Sequence, residues 1–286
     1  MKICRFDADR LGVVEGDWVR DVTPALEALP RVNYPLPRLD PLIANLAPVR
    51  ERIAAVITSA PRRPLAEVRL LSPVANPGKI AAAPVNYRKH LDEARGDPAI
   101  HHQNQVGEIQ RVGLFLKATS SLVGPSEGVA VQHPDRRNDH EVELAVVIGK
   151  AGRNIARASA MEHVAGYCIG LDMTVRGPEE RSLRKSVDSY TVLGPCFVTA
   201  DELRDPTRLE LSLSVNGEPR QKANTRDLIL GIPELIAFAT SFYTLHPGDV
   251  LLTGTPEGVG PVQAGDRMLA EIEGIGRMEV AVRAAR

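Results

Sequence analysis

The feature that most constrains the fold is a succession of short β-rich segments from about residue 79 to the C-terminus. They are rich in β-branched residues and are separated by Gly, Pro, Asn and Asp, which is typical of strands. Many strands with few helices predict a β-rich α+β fold with antiparallel or mixed sheets, and not a βαβ array. The strand-like segments are VGLFLKATSSLVG, GVAVQ, EVELAVVIG, AGYCIGLDMTV, TVLGPCFVT, LELSLSVNGEPR, DVLLTGTP and RMLAEIEGIGRMEVAV, and the helix-like ones are RASAMEHVAGY and IPELIAFATSFYTL.

The N-terminal quarter has a different texture. Strand-like MKICRFD and RLGVVEGDWVRDVT precede PLIANLAPVRERIAAVITSA, which has helical spacing, and the proline-rich APRRPLAEVRLLSPVANPGK follows. Proline-rich segments are typical of boundaries. We therefore predict a small N-terminal α/β domain over residues 1–74 and a larger domain over residues 75–286. Residues 96–111 are polar and lack a period, which predicts a lid or a disordered loop.

Charge and composition exclude several classes of partner. The 35 basic and 36 acidic residues give a net charge of -1, so no global field attracts nucleic acid or an anionic membrane. The apolar runs are far shorter than the roughly 20 residues of a spanning helix, and charge precedes any signal-like apolar run. Three widely spaced cysteines, Cys4, Cys168 and Cys196, argue against a disulfide framework. A cytoplasmic protein with no nucleic-acid or membrane partner is expected.

The segment NDHEVELAVVIGK, residues 138–150, places two carboxylates on an otherwise apolar strand. Period two puts Glu141 and Glu143 on one face. Buried like charges repel unless a cation neutralises them, although a solvated strand end is the alternative. Asp172 interrupts another apolar run and is the obvious third carboxylate. Oxygen ligands without His or Cys favour Mg²⁺, Mn²⁺ or Ca²⁺ over zinc.

Further candidate side chains lie in two short segments. In NYRKHLDEAR, His90 and Glu93 are three residues apart and face one another on a helix, where a carboxylate orients a histidine that acts as a base. An exposed surface ion pair is the alternative. In DVLLTGTPEGVG, the Thr255 hydroxyl and nearby backbone N–H groups could bind a carboxylate. Lys185 and Arg176, taken alone, are more typical of solvent-exposed cations.

Taken together, these segments resemble the fumarylacetoacetate hydrolase family. They follow the family's order over about residues 77–285, and the leading residues resemble the small N-terminal domain of many members. The resemblance implies a mixed β-sandwich roll of the family type, usually assembled as a homodimer. The matching segments are NYRKH, LFLKATSSLVGP, HEVELAVVIGK, VAGYCIGLDMTVR, KSVDSYTVLGP, VNGEPRQKANTRDLI and PGDVLLTGTPEGVG with a later GD.

The resemblance also implies a role for each matching residue. The three carboxylates match those that hold Mg²⁺, or Mn²⁺ or Ca²⁺, in the family. The His–Glu pair matches one on a mobile lid that activates a water. The remaining residues match groups at the substrate. The implied metal ligands are Glu141, Glu143 and Asp172, the catalytic groups are His90, Glu93 and Lys185, and the substrate-binding residues are Arg176, Thr255, Tyr87 and Lys117.

Two positions depart from the family pattern. Gly177 and Glu179 stand in RGPEERSLRK where members often carry a polar residue and a glutamine, and a glutamate cannot donate to an oxyanion as glutamine does. We predict a metal-dependent hydrolase that cleaves a C–C bond in a 1,3-dicarbonyl or 2-oxo acid. The expected substrate is an acylpyruvate, such as fumarylpyruvate or a related product of aromatic degradation.

Other functions remain open at this point. The same residues would serve an isomerase, tautomerase or decarboxylase of a 2-oxo dicarboxylic acid, of the 2-hydroxyhepta-2,4-diene-1,7-dioate isomerase or oxaloacetate decarboxylase type. All of these reactions share an enolate. A non-catalytic protein that binds small acids is a further alternative, and such a protein would be expected to lose the base or the lysine.

Overall fold

The computed structural model of the chain describes residues 1–101, 106–203 and 205–285, and strands dominate it. The strands are β1 (Lys2–Phe6), β2 (Arg10–Glu15), β3 (Trp18–Asp21), β4 (Arg62–Pro64), β5 (Leu70–Leu71), β6 (Ile80–Ala82), β7 (Phe115–Lys117), β8 (Leu122–Val123), β9 (Val129–Val131), β10 (Asn138–His140), β11 (Val142–Ile148), β12 (Val164–Asp172), β13 (Thr174–Val175), β14 (Thr191–Thr199), β15 (Glu210–Val215), β16 (Glu218–Asn224), β17 (Val250–Leu252), β18 (Gly260–Pro261), β19 (Arg267–Ile272) and β20 (Gly276–Ala284). The β-rich α+β class predicted from the sequence is confirmed.

Helices are short and lie between the strands. The α-helices are α1 (Pro41–Ala44), α2 (Leu46–Val56), α3 (Arg88–Gly96), α4 (Pro98–His101), α5 (Ile109–Val112), α6 (Arg181–Lys185) and α7 (Ile232–Phe242). Short 3-10 helices cover Thr23–Ala28, Leu65–Glu67, Thr119–Ser121, Pro125–Glu127, Arg157–His163 and Thr225–Asp227. Within the described ranges, no helix is long and apolar enough to cross a membrane.

A mixed sheet of 12 strands organises the molecule. Its main path runs β4-β3-β2-β1-β14-β12-β11-β17-β6-β7, with β5 beside β1 and β8 beside β14. The N-terminal strands extend this sheet, because β1 pairs antiparallel with β14 through Lys2 opposite Val198. The backbone hydrogen bonds are therefore continuous across the two parts of the chain, and the division into residues 1–74 and 75–286 stays a prediction.

Strand β11 is the centre of this sheet and separates two hydrophobic cores. All seven of its residues are buried, and its neighbours are β12 and β17. Val142, Leu144 and Val146 pack into one core, whereas Ala145 and Val147 pack into the other. Burial of each larger side chain stabilises the fold by about 1.5–3 kcal/mol, so the register of β11 is strongly fixed.

Two neighbouring strands leave the large sheet at the same place. Strand β10 leads into β11 through Glu141, and β12 leads into β13 through Met173. Beyond this crossing, β13, β10 and β18 form a separate three-stranded sheet, while a five-stranded sheet has the order β16-β15-β19-β20-β9. The Asp172 N–H donates to the Glu141 carbonyl at 2.9 Å. The crossing therefore brings the ends of these strands side by side.

Two local predictions differ from the structure. RASAMEHVAGY is not one helix, because a 3-10 helix over Arg157–His163 gives way to β12 at Val164. Pairing of β12 with both β11 and β14 favours the strand. The polar segment 96–111 contains α4 and all but the last residue of α5, and residues 102–105 of the predicted loop lie outside the described residues.

Asp40 joins the two parts of the chain. It is buried at the start of α1, and its carboxylate accepts hydrogen bonds from the backbone N–H groups of Ile43 at 3.0 Å, Ala75 at 3.0 Å and Asn76 at 2.9 Å. The Asp40 side chain thus caps α1 and also binds the backbone of the loop between β5 and β6.

Asp40→Ala is expected to lower the free energy of unfolding by roughly 2–4 kcal/mol, because three amides lose their acceptor. Urea denaturation followed by circular dichroism measures the loss. Asp135→Ala is the matched control, since Asp135 is exposed and its carboxylate makes no ion pair within the described residues, and we expect a change below about 0.5 kcal/mol. Equal stability of the two variants would contradict the role of Asp40.

Candidate active site

Three carboxylates meet at the strand crossing. Glu141, Glu143 and Asp172 each offer an oxygen atom, and these atoms lie within 4.8 Å of one another. Glu141 lies opposite Asp172 across the strand pair, and Glu143 lies two residues further along the same face, opposite Gly170. All three side chains are buried. The structure therefore brings together the carboxylates that the sequence singled out.

Two cations hold Glu141. Lys185 Nζ donates to Glu141 Oε2 at 2.6 Å and to Asp172 Oδ2 at 2.7 Å. The Arg176 guanidinium donates to Glu141 Oε1 at 3.1 Å and to Asp139 Oδ2 at 2.8 Å. Burial alone would raise the pKa of Glu141, but Lys185 and Arg176 outweigh it and lower that pKa. Glu141 is therefore an ionised carboxylate.

Glu143 lies in a different environment. Its Oε2 accepts one short hydrogen bond, 2.6 Å from the Gly254 N–H. Burial, and then the charge of Asp172, raise its pKa well above the ordinary value despite nearby Lys185. The negative charge of Glu143 thus lacks full compensation from the part of the chain that the structure describes. A buried all-oxygen cluster with this deficit fits a divalent cation such as Mg²⁺, Mn²⁺ or Ca²⁺.

A glycine turn after β17 completes this side of the cluster. Gly254 has φ +101°, and a Cβ atom there would lie 2.6 Å from the Asn86 side chain. Only glycine therefore fits the turn that presents the N–H to Glu143. The next residue, Thr255, lines the site, and its hydroxyl donates to the Val142 carbonyl at 2.9 Å.

Gln221 is a buried residue that the sequence reasoning missed. Its Nε2 donates to Thr255 Oγ1 at 2.7 Å, and its Oε1 accepts from the Val142 N–H at 3.1 Å and lies 3.1 Å from His140 Nδ1. Gln221 thereby ties β16 of the five-stranded sheet to the turn at Thr255. The sequence around it, EPRQKAN, is otherwise polar and mostly exposed, so only its place in a family-like segment could have drawn attention to it.

His90 and Glu93 form the predicted pair on α3. His90 is buried, and its Nδ1 lies 2.7 Å from Glu93 Oε2. The other Glu93 oxygen accepts from the Gly258 N–H at 2.9 Å. Gly258 has φ +91°, and a Cβ atom there would lie 2.1 Å from the Arg220 carbonyl oxygen. Because Nδ1 is engaged with Glu93, the nitrogen of His90 that remains for a ligand is Nε2.

Lys117 and Tyr87 lie behind the site. Lys117 Nζ contacts the Asp172 carboxylate and the Lys185 carbonyl and donates to the Tyr190 carbonyl at 3.1 Å. Burial lowers the pKa of Lys117, although Asp172 opposes the shift. The Tyr87 hydroxyl is buried and has no hydrogen-bond partner among the described residues. Tyr87 lines a neighbouring cavity of about 380 Å³.

A cavity of about 340 Å³ opens in front of the carboxylates. Most of the residues predicted for the site line it, together with apolar and cationic side chains from the polar segment, β7 and α6. The predicted residues in the lining are Glu141, Glu143, Asp172, His90, Lys185, Arg176 and Thr255. The additional residues include Ile100, His101, Val106, Phe115, Glu179, Arg181 and Arg184.

Glu179, one of the two departures from the family pattern, is engaged away from the carboxylate cluster. Its Oε1 and Oε2 accept hydrogen bonds from Arg136 at 3.1 Å and 2.7 Å, and Arg136 also donates to the Arg176 carbonyl at 2.7 Å. The hydrogen bond from Arg136 is the main cause that lowers the pKa of Glu179. Glu179 therefore holds Arg136 in place against the Arg176 carbonyl. As a carboxylate, Glu179 can accept hydrogen bonds but cannot donate one to the substrate.

Comparison with known proteins identifies close relatives over the whole chain. The chain is 64% identical over 285 residues to the maleylpyruvate hydrolase of Aquipseudomonas alcaligenes, a match that covers 99% of both chains. It is 38% identical over 246 residues to the human mitochondrial oxaloacetate tautomerase FAHD2A, which covers 82% of this chain and 74% of the relative.

Solved structures confirm the fold class. The structure of maleylpyruvate hydrolase from Sphingobium sp. SYK-6, in complex with manganese(II) and pyruvate, matches with a TM-score of 0.84 and 43% identity over 100% of both chains. The 5-carboxymethyl-2-hydroxymuconate delta-isomerase of Mycobacterium smegmatis matches with a TM-score of 0.71 and 29% identity, also over 100% of both.

These likenesses confirm the predicted hydrolytic enzyme and support a divalent metal. The fumarylacetoacetate hydrolase C-terminal family model matches residues 79–283, which include every residue of the site described above. Residues from three sheets and from three short helices, α3, α4 and α6, form that site. The chain belongs to the fumarylacetoacetate hydrolase family.

Proposed function

We propose that this chain is a divalent-metal-dependent hydrolase of acylpyruvates of the maleylpyruvate type, which releases pyruvate and a free acid. One observation carries the proposal: His90, held by Glu93, lines the same cavity of about 340 Å³ as the three carboxylates and Lys185. A base and a metal-fitting cluster thus share one space. The 64% identity to a maleylpyruvate hydrolase supports this substrate class.

The metal role falls to Glu141, Glu143 and Asp172. We expect Mg²⁺ as the usual cation, with Mn²⁺ as a substitute, because the oxygen donors suit both and a relative's crystal structure contains manganese(II). A divalent cation held there would polarise the substrate carbonyl. Lys117 acts through this cluster, since it contacts Asp172, whereas Tyr87 lies outside the cavity lining.

His90 serves as the base. Its Nε2 takes a proton from water while the water oxygen forms a bond to the acyl carbonyl carbon. Glu93, 2.7 Å from Nδ1, stabilises the imidazolium that results and keeps the ring oriented. The Gly258 N–H donates to Glu93 at 2.9 Å. The loop after β17 therefore holds Glu93, and Glu93 holds the His90 ring.

The C–C bond then breaks between the acyl carbon and the methylene group of the pyruvate part. Its electron pair moves onto the pyruvate part as an enolate, which the Lys185 ammonium stabilises. The imidazolium of His90 returns its proton to the methylene carbon. The sum is the addition of water: the acyl part leaves as a carboxylic acid and the other part as pyruvate. Arg176 and Thr255 are the proposed partners of the pyruvate carboxylate.

A tautomerase is the second candidate, because the chain is 38% identical to an oxaloacetate tautomerase and one base suffices to move a proton between carbons. A panel of maleylpyruvate and enol-oxaloacetate separates the two reactions, since only hydrolysis releases pyruvate together with a second acid. A non-catalytic binding protein is disfavoured because His90 and Lys185 both lie at the cavity.

A homodimer in the cytoplasm is the proposed state of the protein. Apolar side chains are exposed on β7, α6 and α7, where Leu116 is 39%, Leu183 is 66% and Phe242 is 63% exposed. Leu116 and Leu183 lie on elements that contact one another, β7 and α6, and an apolar patch there would suit a subunit interface. Cys4, Cys168 and Cys196 are free and buried, which suits a reducing compartment.

Glu143→Gln is expected to abolish hydrolysis and to weaken Mg²⁺ and Mn²⁺ binding by more than the roughly 10- to 100-fold that changes behind a metal ligand cause. The substitution keeps the shape of the side chain but removes its charge. Isothermal titration of the metal-free protein measures the affinity, and Glu51→Gln, at an exposed position of α2, is the control. Unchanged affinity in Glu143→Gln would refute the metal assignment.

His90→Ala is expected to lower kcat by about 100- to 10,000-fold, because the water loses its base. Binding of pyruvate in the presence of Mg²⁺, measured by calorimetry, should remain within about twofold of the original protein. His133→Ala removes an exposed histidine and serves as the control. A normal rate of hydrolysis in His90→Ala would show that the base is another group.

A further inference from the structure

The cations that line the cavity differ in what they contact. Arg176 and Lys185 each pair with carboxylates of the cluster. Arg184 donates to the backbone carbonyls of Glu179 at 2.8 Å and Val175 at 3.4 Å. For Arg181, the structure records no hydrogen bond or ion pair with any residue in the described ranges. Arg181 is thus the lining cation whose donors remain for a ligand.

An aromatic ring links Arg181 to the carboxylate cluster. The Arg181 guanidinium carbon lies 5.7 Å from the centroid of the Phe115 ring, and Lys185 Nζ lies 5.5 Å from the same centroid. The two cations are four residues apart on α6 and so lie on one side of it. Phe115 and α6 therefore form a continuous wall from the reacting end of the cavity to Arg181.

No acidic side chain in the described ranges makes a hydrogen bond or an ion pair with this guanidinium. Glu180 caps α6 by accepting from the Ser182 N–H at 2.6 Å, and Glu179 pairs with Arg136. Burial lowers the pKa of Arg181 below its ordinary value, although the charges of Glu141, Glu180 and Asp172 oppose the shift from a distance. A partly buried guanidinium whose N–H donors lack a hydrogen-bonded anion costs free energy, and its planar fork matches a carboxylate.

We propose that Arg181 binds the distal carboxylate of the acyl group, so that the enzyme selects acylpyruvates whose acyl chain ends in a carboxylate. The inference rests on the proposed acylpyruvate hydrolysis and narrows its substrate class to dicarboxylic acids. The 2-oxo acid end faces the carboxylate cluster and Lys185. The acyl chain runs along Phe115, and its terminal carboxylate accepts from Arg181.

The test compares a dicarboxylic with a monocarboxylic substrate. In Arg181→Met, kcat/KM for maleylpyruvate should fall by about 10- to 100-fold, mainly through KM, because one charge-assisted contact is lost. For acetylpyruvate, whose acyl group carries no carboxylate, kcat/KM should stay within about twofold. Arg153→Met is the matched control, because this substitution removes the same charge. Arg153 is exposed and lies outside the cavity lining.

Product inhibition gives a second readout. Inhibition by maleate should weaken in Arg181→Met by a factor similar to the KM change, whereas inhibition by pyruvate should not change. Arg181→Lys should recover part of the selectivity, because it keeps the charge without the planar fork. This variant also carries the test if circular dichroism shows that Arg181→Met does not fold.

Two outcomes would overturn the inference. Equal losses for maleylpyruvate and acetylpyruvate would make Arg181 a structural residue, and unchanged kinetics for both would exclude a contact with substrate. Failure of the proposed function looks different, because the unchanged enzyme would then hydrolyse neither compound. In that case, calorimetric titration of maleate into the unchanged protein and into Arg181→Met still decides whether Arg181 binds a dicarboxylate.

Discussion

The mutual repulsion of three buried carboxylates is the constraint on which the site depends. Glu141, Glu143 and Asp172 lie within 4.8 Å of one another, where water cannot screen their charges. Lys185 at the end of α6 and Lys117 at the end of β7 oppose this repulsion from two separate segments. The negative charge of Glu143 is still not fully compensated, and its pKa is therefore raised. The fold therefore holds a deficit of positive charge at one place, and a divalent cation is the group that removes it.

A rigid sheet and a short helix divide the chemical tasks. The carboxylates lie at the crossing of β10, β11, β12 and β13, whose hydrogen bonds and two-sided core fix their positions. The proposed base, His90, lies on α3, a helix of nine residues that Glu93 ties to the loop after β17 through the Gly258 N–H. Because this tie also orients His90, an opening of α3 would separate the base from the carboxylates.

Sequence patterns predicted the parts of the site better than the way they meet. Period two identified the core face of β11, and a spacing of three predicted the pairing of His90 with Glu93. The break at Glu141 depends on long-range pairing of β10 with β13 and β18, which alternation along one segment cannot reveal. The resemblance alone drew attention to Lys117, and nothing drew attention to Gln221, because the burial of both side chains depends on tertiary contacts. Pairing of β1 with β14 is equally non-local.

In the proposed mechanism, the five residues of helix α6 contribute both to the reaction and to substrate selectivity. Lys185 at its end bridges Glu141 and Asp172, while Arg181 at its start lies over the outer part of the same wall. A substitution at Arg181 leaves the hydrogen bonds of the carboxylate cluster in place, because Arg181 makes none of them. If Arg181 binds the acyl group as proposed, the acyl group that the cavity accepts can change independently of the bond-breaking step. Such a separation of selectivity from bond breaking would allow relatives to keep the carboxylates and still act on different 2-oxo acids.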